Sequence, residues 1–263
     1  MRMSLPRHYA RRIWRAIIEF ELLAPKDQIL VGYSGGKDSL FLLYALKALQ
    51  AKSPFPFTFA AAHVELGFSE QPGVEELAAV CQDLNIPFYC QETKIADLAA
   101  KDDNPCSTCA YFRRAVVNRI ANTEGYNKVA LAHHHDDAVE TFFMSQLYSG
   151  QLQTFLPKSM LDETGLTVIR PLVYLRESKI KEFVENLPWK PTPNPCPFQG
   201  RTHRFRVKEL IRGLTSENPS VYHNVAACMR KSAAPILWPA ALDREAMREK
   251  HIKIMNLDPD GIN

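Results

Sequence analysis

The chain has 263 residues, which suits a single α/β domain or one domain with an appendage. Its 46% hydrophobic content is ordinary for a globular protein, and a net charge of +3 does not by itself indicate a nucleic-acid partner. The N-terminus lacks an apolar signal segment, and no run of about 18 apolar residues exists, so we expect a cytoplasmic protein that does not enter a membrane. Six cysteines in such a compartment favour metal binding or catalysis over disulfides.

Hydrophobic periodicity predicts one helix followed by an alternation of strands and helices. Residues 7–23 form an amphipathic helix whose apolar positions lie among arginines. The predicted strands cover residues 29–33, 57–64, 87–91, 128–132 and 167–170. The predicted helices cover residues 39–50, 73–84, 106–121, 137–148 and 176–187. This alternation indicates an α/β fold, a parallel sheet with helices on both faces, in which ligands bind at the carboxyl ends of the strands.

A proline-rich segment interrupts the regular pattern. Five prolines lie between Pro188 and Pro197, and residues 203–250 then show a largely helical pattern. We therefore predict an N-terminal amphipathic helix at 1–24, the α/β domain at 25–190, and a cysteine loop with a helical C-terminal appendage at 191–263.

The most informative segment is the hexapeptide Ser34-Gly35-Gly36-Lys37-Asp38-Ser39, which lies between a strand-like apolar run and a helical one. Such a turn presents unpaired backbone N–H groups at the positive end of a helix dipole and so binds anions. Lys37 adds a charge that can reach phosphate oxygens. The hexapeptide resembles the pyrophosphate-loop signature of the ATP pyrophosphatases, which split ATP between its α- and β-phosphates. The alternative is a glycine turn that only caps a helix.

A second polar segment follows the strand at 128–132 and opens the next helix. It contains His133, Asp136 and Asp137 and resembles the His-x-x-Asp-Asp element of tRNA-modifying pyrophosphatases. Its carboxylates are candidates to bind the Mg²⁺ that accompanies ATP, although an aspartate at this position also serves as a helix cap. His63, at the end of strand 57–64, is a candidate to border the adenine; a hydrogen-bonded loop histidine is the alternative.

Three cysteines form a third candidate site. Cys106 and Cys109 lie on one face of the first turn of a helix, with Asn104 as its predicted N-cap and Pro105 at its first position. The helix dipole there is expected to lower the thiol pKa. Cys196 lies in the proline-rich loop. Structural zinc sites usually use four ligands, whereas a 4Fe-4S cluster held by three thiolates exposes one iron. A redox dithiol with an unrelated loop cysteine is the alternative.

The other three cysteines have apolar neighbours in predicted helices or strands. They are Cys81, Cys90 and Cys228. We interpret all three as packed in the core, which leaves Cys196 as the candidate third ligand. We also expect the loop of Cys196 to lie far from the hexapeptide Ser34–Ser39, which we call the glycine loop.

Basic residues crowd the N-terminal helix and the segment after the cysteine loop. The candidates to contact RNA phosphates are Arg113, Arg114, Arg201, Arg204 and Arg206. The alternative is that these residues form solvated helix faces, as basic stretches usually do.

Taken together, these elements resemble the tRNA 2-thiocytidine synthetase (TtcA-type) family of the PP-loop ATP pyrophosphatases over roughly residues 25–200. The cysteine pair between the glycine loop and the His-Asp-Asp segment, with a later single cysteine, carries most of the specificity. The chain departs from the expected pattern in two respects. It has none of the extra cysteine pairs that the related two-thiouridine enzymes of the superfamily carry in zinc ribbons, and it lacks a second cysteine near Cys196. Members usually have a second cysteine shortly after the position of Cys196, where this chain has Pro197-Phe198-Gln199.

The resemblance implies a Rossmann-like fold and an ATP-dependent sulfur transferase that thiolates a base in tRNA. It implies a 4Fe-4S cluster on Cys106, Cys109 and Cys196, with ATP on the residues from Ser34 to Ser39. In the expected reaction the cytosine O2 attacks the α-phosphorus, pyrophosphate leaves toward Lys37, and sulfide then replaces AMP at C2. Asp38 and Asp137 orient Mg²⁺ or substrate, a cysteine desulfurase is a candidate sulfur donor, and a homodimer is compatible with the family.

Two other functions are consistent with the same motifs. One is an ATP pyrophosphatase that acts on another tRNA base or on a small-molecule carbonyl, with zinc in place of the cluster. The other is a nucleotide-binding cluster sensor without catalytic activity. Lys37 and the paired aspartates favour an enzyme over the sensor.

Overall fold

The computed structural model describes residues 3–68, 73–162, 164–193, 195–198, 200, 202–230 and 243–255. Six strands are present in these ranges: Gln28–Gly32 (β1), Thr58–Glu65 (β2), Phe88–Glu92 (β3), Lys128–Ala130 (β4), Lys158–Met160 (β5) and Thr167–Ile169 (β6). The helices there are Arg7–Glu19 (α1), Lys37–Gln50 (α2), Val74–Asp83 (α3), Ile95–Ala99 (α4), Pro105–Thr123 (α5), His135–Ser149 (α6), Glu177–Val184 (α7), His203–Glu217 (α8), Ser220–Cys228 (α9) and Arg244–Met255 (α10).

The strands form one sheet in the order β3-β2-β1-β4-β6-β5. All neighbouring strands are parallel except β5, which pairs antiparallel with β6 at the edge. The predicted parallel α/β fold is therefore confirmed, with an antiparallel edge strand added. Sequence periodicity missed β5 and α4 because strands of three residues and helices of five are too short to show a period.

Both faces of the sheet are covered, as predicted. Ile29 and Val31 of β1 belong to a core with α1, α2, α3 and α7, whereas Leu30 between them packs with α4 and α5 on the other face. This alternation is the two-residue period of a strand buried on both sides. Helix α2 lies so deep that ten of its residues are buried, which explains its continuous apolar sequence.

The chain divides into two compact units, Met1–Met229 and Arg230–Asn263. The predicted boundaries after residues 24 and 190 both lie inside the first unit, where α1 contributes Tyr9 and Ile13 to the main core. In the second unit the described element is α10. No described helix combines the length and apolar character that crossing a membrane requires.

A buried ion pair joins the start of the sheet to the loop after α1. Lys128 Nζ lies 2.7 Å from Asp27 Oδ2 and donates to the Leu22 carbonyl oxygen at 2.8 Å. The two side chains are only 8% and 4% exposed. Removing the cation would leave the Asp27 carboxylate buried without its counter-charge, which is more costly than losing an exposed pair.

We therefore expect Lys128→Met to lower the free energy of unfolding by about 3 kcal/mol. Lys158→Met is the matched control, because Lys158 pairs with Glu21 at 4.0 Å on the exposed surface. It should cost less than about 1 kcal/mol. Urea unfolding of both variants measures the difference, and equal losses would contradict a special role for the buried pair.

Candidate active site

The glycine loop and the His-Asp-Asp segment lie side by side at the carboxyl edge of the sheet. The chain passes from β1 outward to β3 and then returns to place β4 on the other side of β1. Strands β1 and β4 are parallel, so the segments that follow them leave from the same edge. This reversal of strand order is where open α/β sheets bind their ligands. The structure thus brings together the two segments that the sequence indicated.

Hydroxyl groups hold the glycine loop in shape. Ser39 Oγ accepts from the Ser34 N–H at 3.2 Å, lies 3.1 Å from Ser34 Oγ, and donates to the Gly36 carbonyl oxygen at 2.9 Å. Both serines therefore stabilise the loop, and α2 begins inside the hexapeptide, at Lys37 directly after the two glycines. The first N–H groups of this helix therefore lie where the sequence predicted an anion site.

The proline-rich loop packs directly on the glycine loop. The Thr192 N–H donates to the Gly35 carbonyl oxygen at 3.0 Å. Gly35 has a φ of +81°, and a Cβ atom there would lie 2.1 Å from Thr192 Oγ1. Both the backbone conformation and this close approach therefore require glycine at position 35. The expectation that the loop of Cys196 lies far from the glycine loop is wrong, because Thr192 is only four residues before Cys196.

Lys37 lies between two carboxylates. Its Nζ is 2.9 Å from Asp38 Oδ2 and 2.9 Å from Glu177 Oε1. Burial opposes the charged form, but the two carboxylates outweigh it and raise the pKa of Lys37. A similar balance applies to Glu177, where burial is outweighed by hydrogen bonds from Lys208 and Lys37 that lower its pKa to about 2. Lys37 and Glu177 are therefore both charged at neutral pH.

Asp38 keeps one oxygen without a hydrogen bond. Its Oδ1 is buried and unpartnered, at 3.7 Å from His134 Nε2. His134 Nδ1 accepts from the Asp137 N–H at 3.3 Å, and its Nε2 lies too far from Asp38 Oδ1 for a hydrogen bond. A buried carboxylate oxygen without a donor beside an anion loop is suited to a cation. Asp38 Oδ1 is therefore the atom here that best fits Mg²⁺.

The paired aspartates both hold other elements in place. Asp136 accepts from Arg176 Nε at 2.9 Å and from the Glu177 N–H at 2.7 Å, so it caps the start of α7. Asp137 accepts from the His134 N–H at 2.9 Å, in a capping box with His134, and from Arg204 Nη1 at 3.2 Å. The structure thus places both at the predicted edge and gives each of them partners.

Two histidines near this edge each have one buried ring nitrogen without a hydrogen-bond partner. His63 Nδ1 lies 2.9 Å from the Tyr33 carbonyl oxygen and must donate to it, which leaves the buried Nε2 as an unpartnered acceptor. Burial lowers the pKa of His63. Burial also lowers the pKa of His133, to about 4, and its Nδ1 is likewise unpartnered. Both rings are neutral, so each can accept one hydrogen bond from a ligand.

The structure brings the three candidate cluster cysteines into electrostatic contact. Pro105 is the first residue of α5, as predicted, and Asn104 occupies the cap position without a side-chain hydrogen bond. The pKa values of Cys106 and Cys109 are raised, first by burial and then by other thiols that include Cys196 in both cases. The pKa shifts are thus upward, opposite to the predicted lowering, and burial is the largest cause of both.

Two of the cysteines assigned to the core are exposed. Cys81 is buried, as predicted, whereas Cys90 on β3 and Cys228 at the end of α9 lie at the surface. The prediction relied on apolar neighbours in the sequence. Such neighbours do not cover a residue on the outer side of an edge strand or in the last turn of a helix. All six cysteines are in the described part of the chain, and no disulfide joins any of them.

The candidate ligands of the site are three thiols and the Asp38 carboxylate. No group of three or more His, Cys, Asp or Glu side chains among the described residues is arranged to hold a metal ion. A four-iron cluster is larger than one ion, so its ligands stand farther apart. Three thiols that repel one another's charge are stabilised as thiolates when iron binds between them. Mg²⁺ needs only one or two protein carboxylates, because ATP supplies phosphate oxygens.

Several arginines lie around this edge. Arg113 lies within electrostatic range of Cys109, His63 and His133, and it is exposed. Arg114 is also exposed and acts, after burial, to lower the pKa of Arg170 to about 10. These side chains connect the cysteine pair with the strand ends, and we call Arg113, Arg114 and Arg170 the basic cluster. Its position suits a negatively charged ligand that spans both sites.

The two remaining arginine candidates on α8 differ in exposure. Arg204 is engaged with Asp137 and with Thr141 Oγ1, each at 3.2 Å. Arg206 is exposed. Arg201 lies outside the described residues.

Sequence reasoning missed Glu140 and Thr192, which shape the site. It gave no site role to three other residues there: Arg170, Glu177 and Lys208. Arg170 and Glu177 flank the turn after β6, so the strand-end rule could have found them. Glu140 is buried on α6, where burial followed by Asp137 raises its pKa to about 7. Thr192 and Lys208 had no local signal, because their contacts are to residues far away in the chain.

Comparison with known proteins identifies the sequence family. A family model described as a PP-loop domain matches residues 6–192. A tRNA-cytidine(32) 2-sulfurtransferase from Geobacter metallireducens is 34% identical over 244 residues, which cover 90% of this chain and 92% of the relative. The enzyme of the same name from Xanthomonas axonopodis pv. citri is 33% identical over 232 residues, which cover 86% of this chain and 76% of the relative.

A solved structure shares the fold. It is the U34-tRNA thiolase NcsA from Methanococcus maripaludis with its [4Fe-4S] cluster, which superposes with a TM-score of 0.71 and covers 93% of this chain and 87% of the thiolase. Its sequence identity is 22%, so this likeness is one of architecture.

Proposed function

The chain belongs to the PP-loop family that contains the tRNA-cytidine 2-sulfurtransferases, and we propose that it is an ATP-dependent enzyme that replaces O2 of a tRNA cytidine with sulfur. The matched relatives carry cytidine 32 in their names, and we propose the same nucleotide as the substrate. A cysteine desulfurase as sulfur donor, a homodimer and a cytoplasmic location belong to the same proposal. The small-molecule alternative is not favoured, because the matched relatives act on tRNA.

The observation that carries the proposal is the contact between Thr192 and Gly35. It ties the loop that ends in Cys196 to the loop that would bind ATP phosphates. Adenylation and sulfur transfer must occur at the same base, so their two sets of residues have to lie within reach of one nucleotide. A cysteine site independent of the ATP site would need no such contact.

We propose that ATP binds with its phosphates on the first N–H groups of α2 and its Mg²⁺ at Asp38 Oδ1. His63 Nε2, an acceptor, is suited to the exocyclic amine of adenine. Lys37 neutralises the charge that develops on the leaving pyrophosphate as the base O2 bonds to the α-phosphorus. The P–O bond to the β-phosphate breaks, and the base then carries AMP on its former carbonyl oxygen.

In the second stage sulfur bonds to C2, and the C2–O bond breaks as AMP leaves with that oxygen. Cys106, Cys109 and Cys196 would hold the 4Fe-4S cluster, which supplies an iron with one open position for sulfide. Arg113 acts electrostatically on both Cys109 and His133, so it would attract the anionic adenylate. His133, neutral and partnerless at Nδ1, is placed to accept from the exocyclic amine of cytosine.

Anaerobic reconstitution followed by one turnover assay tests the proposal. The protein is supplied with ATP, Mg²⁺, sulfide and unmodified tRNA, and we expect pyrophosphate and AMP together with 2-thiocytidine in the digested tRNA. A transcript with uridine at position 32 should give none of these three products above background. Thiolation of both transcripts would contradict the proposed nucleotide. Pyrophosphate release with a small molecule, without thiolation of either transcript, would contradict tRNA as the substrate.

We also expect Arg206→Glu to weaken tRNA binding and to reduce the slope of log affinity against log salt by about 1. We choose Arg206 for substitution and not Arg204 on the same helix, because Arg204 pairs with Asp137 and replacing it would also disturb the site. Lys52→Glu is the control: Lys52 is exposed between α2 and β2, at the opposite end of the strands. Filter binding from low to high salt gives both slopes, and an unchanged slope for Arg206→Glu would assign that side chain to solvent.

A further inference from the structure

A chain of charges connects the glycine loop to helix α8 through Glu177. Its Oε1 lies 2.9 Å from Lys37 Nζ and its Oε2 lies 2.5 Å from Lys208 Nζ. The side chains of Lys37, Glu177 and Lys208 are 29%, 26% and 33% exposed, so solvent screens their interaction only in part. With Asp38, the group contains two ammonium ions and two carboxylates.

We propose that Glu177 is a positioning residue that aims Lys37 at the leaving pyrophosphate, and that Lys208 is the counter-ion that allows this without loss of affinity for ATP. The inference rests on the proposed ATP chemistry and assigns roles that the loop motif does not contain. Glu177 and Lys208 act through Lys37 and need not touch the substrate.

The geometry of an ammonium group explains the positioning. Lys37 has three N–H donors, and Asp38 and Glu177 each accept at 2.9 Å. Two anchored directions determine where the third donor points, whereas one anchor would leave the ammonium free to rotate. A carboxylate on each side therefore converts a flexible lysine into an oriented donor.

The charges explain the role of Lys208. Two carboxylates beside a single lysine would give the group a net negative charge and repel the phosphates of ATP. Lys208 returns the net charge to zero, because it adds one positive charge at the far oxygen of Glu177. Glu177 can then orient Lys37 while the glycine loop keeps its attraction for anions.

Glu177 itself is held by the start of α7. Asp136 accepts the Glu177 N–H at 2.7 Å and Arg176 Nε at 2.9 Å. The Arg176 guanidinium lies 3.5 Å from the centroid of the Tyr222 ring. These contacts hold the Glu177 backbone in place without involving Lys37 or Lys208. This independence is what a positioning residue needs.

Two substitutions separate orientation from charge. Glu177→Gln keeps the side-chain shape, but its NH₂ end must face one of the two lysines, donor against donor. We expect kcat for tRNA-dependent pyrophosphate release to fall on the order of 10²-fold, as for a misplaced catalytic group. The dissociation constant of MgATP should decrease, because the group loses a negative charge. Lys208→Met should instead raise that constant about tenfold with little change in kcat.

The shifts in ATP affinity therefore have opposite signs, which loss of structure alone would not produce. Lys208→Arg retains the charge and should restore the affinity. Lys179→Met on the same α7 is a control for helix disturbance, because the Lys179 ammonium pairs with Glu182 on the exposed surface and the Tyr9 hydroxyl contacts only its backbone oxygen. Equilibrium titration with MgATP and steady-state pyrophosphate release give the two parameters separately.

The inference is overturned if both variants weaken ATP binding alike, or if Glu177→Gln turns over like the wild type. Failure of the proposed function gives a different result. In that case the wild type binds ATP yet releases no pyrophosphate with any tRNA. The titrations still decide the charge argument then, because opposite shifts for Glu177→Gln and Lys208→Met support it and parallel shifts reject it.

Discussion

Replacing Lys37 with alanine should lower tRNA-dependent pyrophosphate release about 10²–10³-fold, the usual effect of removing one donor from a developing oxyanion. Lys37 is the cation of the glycine loop, and Asp38 and Glu177 keep it protonated by raising its pKa. A raised lysine pKa preserves the charge as pH increases toward its ordinary value. Activity lost in mildly alkaline solution should therefore come from another group. Release of labelled pyrophosphate across the range from mildly acidic to mildly alkaline pH measures both effects.

Lys47→Ala is the matched control for this substitution. Lys47 lies in the last turn of the same helix and donates to the Asn85 carbonyl oxygen, so its loss removes a lysine from α2 without touching the loop. Both variants should unfold at temperatures near that of the wild type, because Glu177 retains Lys208 after Lys37 is removed. Equal turnover of the two variants would show that the loop acts through its backbone alone.

The sequence predicted the parts of the site that depend on local patterns. An apolar strand, a glycine turn and a helical run placed the residues from Ser34 to Ser39 at a strand end, and the structure confirms that position. The same rule placed Asp136 and Asp137 after β4. Because parallel strands end at one edge, the order of strands and helices along the chain was enough to predict that the two segments meet.

The partners within the site could not be predicted in this way. Asp136 meets Arg176 and Asp137 meets Arg204, across 40 and 67 residues of chain. Such pairings depend on how α7 and α8 pack against α6, and helical periodicity shows only that each has an apolar face. An aspartate at a helix start carries the same local signal whether it binds a metal, caps its own helix or caps another.

The contact between Thr192 and Gly35 shows a second limit. Prolines indicate a stiff loop, but they do not indicate the direction in which the loop runs. In the structure a backbone hydrogen bond at 3.0 Å joins the cysteine loop to the glycine loop. Glycine at position 35 is then required twice, for its positive φ and for the nearby Thr192 side chain. Only the first requirement could be read from the hexapeptide.

Replacing Cys196 with alanine should abolish the iron–sulfur absorption and all thiolation, while ATP binding persists. Two thiolates on α5 are too few to hold a cluster, and Cys196 is the cysteine outside that pair that perturbs the pKa of both of them. The Thr192 contact uses a backbone N–H, so changing the Cys196 side chain leaves it in place. Iron and acid-labile sulfide per chain after anaerobic reconstitution, together with MgATP titration, measure the two outcomes.

Cys90→Ala and Cys228→Ala are the controls, and their exposure makes them stringent. Both thiols are at the surface, so either could in principle bind iron during reconstitution. Cys196 is among the thiols that raise the pKa of both Cys106 and Cys109, whereas neither Cys90 nor Cys228 is among them. We expect both variants to retain wild-type iron and sulfide. Full cluster content in Cys196→Ala, or its loss in Cys228→Ala, would show that the third ligand is a different cysteine, and the site would then no longer be joined to the ATP loop through Thr192.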